Sequence, residues 1–70
     1  MRKRSVRVAG HPTSVSLEDE FWEALSEIAH ARQSSLTGLI DEIDASRGER
    51  GLSSAIRLFV LAQTRAAGGG

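Results

Sequence analysis

Four cations, Arg2, Lys3, Arg4 and Arg7, stand within the first seven residues, and no acid precedes Glu18. Guanidinium and ammonium groups at that density can neutralise phosphates, the sequence-independent part of nucleic-acid binding. Hydroxyls follow at two places, Ser14 and Ser16, then Ser34, Ser35 and Thr37. A serine hydroxyl donates or accepts, so it can meet a base edge or a phosphate oxygen, but it discriminates bases less sharply than Arg or Asn. The other polar groups point to no catalysis. His11 and His30 are far apart, lack carboxylates at metal-ligand spacing and have no Cys to help, so neither a metal site nor a cofactor is expected. Asp41, Glu42 and Asp44 fan out around a helix, no serine has a general base at recognisable spacing, and the glycines form no phosphate loop. A binding protein, not an enzyme, is expected.

The charges sum to zero over 70 residues, yet they are segregated, because the basic start is answered by an acidic block of Glu18, Asp19, Glu20, Glu23 and Glu27. Overall neutrality weighs against a broad nucleic-acid surface, while the local cluster keeps phosphate contact open. A chain of this size makes one small domain that buries only about 60% of its unfolded surface. Without cysteine it has no disulfide or thiolate staple, which leaves association with a second copy as the means of stabilisation. The start lacks a secretory apolar stretch and no segment approaches a membrane span, so a cytoplasmic location and no membrane partner are expected.

The elements that must position these groups follow from periodicity. Apolar residues recur with period two at Thr13, Val15 and Leu17, then with period near 3.6 at Phe21, Leu25, Ile28 and Ala29, widened by Trp22. A short strand therefore runs straight into an amphipathic helix, which Ser16 can cap and which should span Glu18 to Ala31 or Arg32. The strand's alternation turns Val15 and Leu17 inward and Pro12, Ser14 and Ser16 outward. A second helix follows Ser34 or Ser35 with Leu36, Leu39, Ile40 and Ile43 as its stripe, and a third, over 52–65, buries Leu52, Ala55, Ile56, Phe59 and Val60. Leu58 and Leu61 fall off that last stripe. Residues 66–70 read as a flexible tail. Arg4 to Val8 also alternate, and Ala9 to Pro12 break the pattern. Residues 1–12 are thus either a basic arm or an extra strand of a hairpin.

This order of strand, helix and Ser-led second helix over 13–46 resembles the ribbon-helix-helix family of bacterial and phage repressors of Arc and Met repressor type. The fuller pattern, with Arg4-Ser5, Gly10, Thr13 to Glu18, Phe21-Trp22 and Leu52 to Arg57, is similar to a branch of small α-proteobacterial ribbon-helix-helix proteins. The resemblance implies a mostly α fold with a short β-strand. It implies an intertwined homodimer with an intersubunit antiparallel ribbon, to which residues 13–65 add a third C-terminal helix. It further implies double-stranded DNA as partner, with Ser14 and Ser16 of the ribbon in the major groove and the N-terminus of the second helix, at Ser35 and Thr37, on a phosphate. Gln33 stands where many members have Gly at the turn before that helix. The dimer core would comprise Val15, Leu17, Phe21, Trp22, Leu25, Ile28, Leu36, Leu39, Ile40 and Ile43.

The expected function is DNA-binding transcription regulation, a repressor in which Arg2, Lys3, Arg4 and Arg7 tighten the complex on the DNA backbone. The alternative is a dimeric protein-protein interaction module, antitoxin-like or adaptor, with weak or no DNA binding and a protein partner held by the C-terminal helix. That alternative gains if Arg4 to Val8 widen the ribbon into a four-stranded sheet, too broad for a groove.

Overall fold

Ala9 and Gly10 take φ of 51° and 83°, the left-handed pair that a two-residue hairpin turn requires. In the computed structural model, which describes residues 1–68, this turn joins β1 (Arg2–Val8) to β2 (His11–Leu17) as an antiparallel hairpin. The extra-strand reading of residues 4–8 is therefore the one adopted, and the break is narrower than expected, since His11 and Pro12 already belong to β2. The Thr13–Leu17 strand, which the resemblance assigns to an intersubunit ribbon, has a partner within its own chain. Arg2 lies opposite Leu17 and Val8 opposite His11, so the pairing runs the full length of both strands.

β2 runs without a loop into α1 (Asp19–Ala31). The expected cap does not form, because Ser16 is still in the strand; Glu18 occupies the N-cap with no side-chain cap hydrogen bond. Asp19 and Glu20 lie in the first turn, where the helix dipole favours anions. The helix ends in a Schellman motif. The Ser34 N–H donates to the Ala29 carbonyl at 2.9 Å and the Gln33 N–H to that of His30 at 3.0 Å. Gln33 takes φ 57° there, a position at which a non-glycine residue costs about 1 kcal/mol. α2 (Leu36–Ser46) follows, and α3 (Leu52–Gly68) runs past its expected end at 65 because Ala66 and Ala67 are strong helix formers. Gly69 and Gly70, the rest of the expected tail, lie outside the described residues.

The hairpin lies over the three helices. Val8, Val15 and Leu17 from the sheet meet Trp22, Leu25 and Ala29 of α1, Leu39, Ile40 and Ile43 of α2, and Ala55, Ile56 and Val60 of α3. Leu17, Leu25, Leu39, Ile40 and Ile56 are all fully buried within this one chain. Phe21, Ile28 and Leu36, which the resemblance assigns to a dimer core, are partly buried at the margin of this chain's own core. The Cα radius of gyration is 11.6 Å, against about 11 Å for a compact domain of this length. α3 thus supplies apolar cover within the chain, through Ala55, Ile56 and Val60 of its expected stripe.

Candidate nucleic-acid interface

In an antiparallel pair, residues opposite one another share a face. The register sets Lys3 against Ser16, Ser5 against Ser14 and Arg7 against Pro12, while Val6, Val8, Val15 and Leu17 share the other face with Arg2, Arg4 and Thr13. The hairpin's solvent face is therefore entirely polar apart from Pro12. Its two cations, Lys3 and Arg7, flank hydroxyls from both strands. Lys3, Ser5, Arg7 and Ser14 are exposed and Ser16 is half-buried. The outward placement of Ser14 and Ser16 expected from period two holds. Sequence alone did not single out Ser5, although the alternation of Arg4 to Val8 carries the signal once the hairpin is known.

The side chains of the basic cluster are divided between two faces of the hairpin. The Arg4 guanidinium stacks over the Trp22 ring at 5.0 Å, and Arg2 Nε pairs with Asp19 Oδ1 at 3.2 Å. Trp22 Nε1 in turn donates to the Arg2 carbonyl at 2.9 Å, which fastens the open end of β1 to α1. At the other end, the Ala9 N–H donates to Asp41 Oδ1 at 2.9 Å, tying the turn to α2. Asp41 is exposed on α2 and holds the turn.

A two-residue turn closes on a hydrogen-bonded pair, Val8 and His11, and the bonding alternates from there. Pro12, Ser14 and Ser16 accordingly turn their main-chain polar groups away from β1, to the free edge of β2. Pro12 fits that pattern, because a residue without an N–H loses no ladder bond there.

The second expected contact point is the start of α2. Ser35 is the N-cap, and its Oγ accepts from the Gly38 N–H at 2.9 Å. A Cβ at Gly38 would come within 3.0 Å of that Oγ, so glycine permits the cap. Thr37 is exposed in the first turn, where no acid competes for an anion. The free N–H groups and dipole of such a turn favour a phosphate.

Glu18 supplies the charged contact that secures α3. Arg57 Nε donates to Glu18 Oε1 at 2.9 Å, and this bond, followed by a main-chain one, holds the carboxyl below its ordinary pKa. Among the described residues, no three His, Asp or Glu side chains gather as metal ligands would, and no helix is long and apolar enough to cross a membrane.

No curated protein and no solved structure matches this chain. The model of one family, the ribbon-helix-helix domain, matches residues 1–64, a span that takes in both strands of the hairpin and most of α3. With a β-ribbon leading into α1 and a Ser-capped α2, and with that match over most of its length, the chain belongs to the ribbon-helix-helix domain family.

Proposed function

We propose that this protein is a DNA-binding regulator of transcription that meets the duplex with the outer face of its hairpin. Ribbon-helix-helix domains generally bind DNA, as transcription regulators or antitoxins. The observation that carries the reading here is the register that collects Lys3, Ser5, Arg7, Ser14 and Ser16 on one solvent face. Strands of seven residues extend for about 23 Å, and a two-stranded ribbon fits a major groove about 12 Å wide. Lys3 and Arg7 would neutralise phosphates, Ser14 and Ser16 would touch base edges, and Ser35 and Thr37 would hold a further phosphate at the start of α2. Arg2 and Arg4 serve as anchors of β1 and come to DNA only by leaving Asp19 and Trp22. Repression would follow from occlusion of a promoter by the bound protein in the cytoplasm. The reading involves no catalysis and no cofactor.

The protein is proposed to act as a homodimer, as is usual in the family. Where the copies join separates two readings. If the β2 edges stay free, each hairpin is a groove-sized ribbon by itself. If the copies pair through Ser14 and Ser16 of β2, four strands span about 14 Å between their outer backbones before side chains are added, too broad for a groove. The unpaired edge of β2 favours that second arrangement, which suits an interaction module of antitoxin or adaptor type better than a groove reader. Titration of a labelled duplex with the full chain at about 50 mM salt tests the DNA reading, and no detectable binding there rejects it. A unfolding midpoint independent of protein concentration, together with a monomer mass, rejects the dimer.

A further inference from the structure

The outer side of α3 is apolar where a solvated helix would be polar. Leu58 and Leu61 are 42% and 46% exposed, whereas Ile56 and Val60, which face the core from the same helix, are buried. Leu58 also borders a groove between the end of α2 and α3, with Ile43, Ala55 and Phe59 as its apolar lining and Arg47 and Arg50 at its rim. Arg47 is held in place there, since its Nε donates to Asp44 Oδ1 and its Nη1 to the Arg50 carbonyl, both at 2.6 Å. Arg65 follows Leu58 and Leu61 at i+7 and i+4 and is likewise exposed. The patch is thus a short leucine strip with arginines at both ends.

We infer that this face docks an acidic amphipathic helix of a protein partner, whose apolar stripe covers Leu58 and Leu61 and whose carboxylates meet Arg50 and Arg65. Charge decides the occupant. A second copy laid antiparallel along α3 would bring no carboxylate to these arginines, because α3 holds no Asp or Glu. DNA would set phosphates against leucines. An acidic helix satisfies both the strip and its ends. The inference rests on the interaction reading, and it uses none of Lys3, Ser5, Arg7, Ser14 and Ser16, the hairpin residues proposed to meet DNA.

Labelled helical peptides of about 15 residues, roughly 22 Å long, provide the probe: one leucine stripe flanked by Glu, by Gln or by Lys. Fluorescence anisotropy with the full chain should show the Glu peptide binding about tenfold more tightly than the Lys peptide, from two weak surface pairs each reversed in sign. The double variant L58S/L61S should lose more than about tenfold of that affinity, with Trp22 fluorescence and duplex binding unchanged. Three results would overturn the inference: no peptide bound, equal affinity for all three peptides, or a change in the mass of the free protein caused by L58S/L61S. The last would make the strip a contact between copies. Since duplex binding is measured on the same samples, loss of the DNA reading would appear separately.

Discussion

Salt dependence should count the cations that reach DNA, and on the proposed reading that count is two per chain, Lys3 and Arg7, not four. Binding falls with log salt at a slope of about −0.9 for each phosphate neutralised. With Lys3 and Arg7 alone on the outer face, one chain should give a slope near −1.8 and two chains near −3.6. Between about 50 and 200 mM salt, affinity would then drop roughly 12-fold for one chain or roughly 150-fold for two, whereas all four cations on each of two chains would give about 2 × 10⁴-fold. Anisotropy titrations of a labelled duplex across that range measure the slope directly. Lys3→Ala with Arg7→Ala should flatten it almost completely. Arg2→Ala with Arg4→Ala should leave it nearly unchanged, since those side chains lie against Asp19 and Trp22. If the Arg2/Arg4 pair flattens the slope as much as the Lys3/Arg7 pair, β1 does not hold its register on DNA and the division of the cluster is wrong.

Ile56→Ala removes a fully buried side chain through which α3 closes the core, so urea unfolding should show a loss of about 2–5 kcal/mol. A loss under about 1 kcal/mol would mean that α3 is not part of the cooperative core. Ala9→Gly should stabilise the protein by about 0.5–1 kcal/mol, because the turn demands a positive φ while the N–H to Asp41 is kept; destabilisation in thermal melts would contradict the turn geometry. Glu18 has a folded-state pKa below its unfolded value of about 4.3, so its contribution is complete above that pH and is lost as pH falls through the lower folded value. Melting temperature should therefore decline on acidification below about pH 4.5 by less in Glu18→Gln than in the wild type; equal declines would remove Arg57 as the cause.

Periodicity located all three helices because each buries one stripe, and the switch at Leu17 from period two to 3.6 placed the strand-to-helix junction within a residue. The outward serines were legible for the same reason. Pairing was not. Arg4 to Val8 alternate weakly, and only the left-handed Ala9, a residue type that seldom adopts this conformation, lets β1 fold back on β2. Composition could not divide the basic cluster either, since what parts Arg4 from Lys3 is the face each takes once a register exists. Ser16 read as a cap from its place before an acidic run, but β2 continues through it and Glu18 turns to Arg57 instead. Long-range contacts of that kind, 39 residues apart in the chain, leave no local trace.

Fastening the hairpin at both ends, by Trp22 to the Arg2 carbonyl and by Asp41 to the Ala9 N–H, separates upkeep of the domain from what its exterior displays. None of Lys3, Ser5, Arg7, Ser14 and Ser16 donates or accepts a side-chain bond within the described residues, so the four exposed ones, Lys3, Ser5, Arg7 and Ser14, should be exchangeable with little effect on folding. Selection, or a randomised library at those positions, could retune what this small scaffold recognises while the rest of the sequence stays as it is.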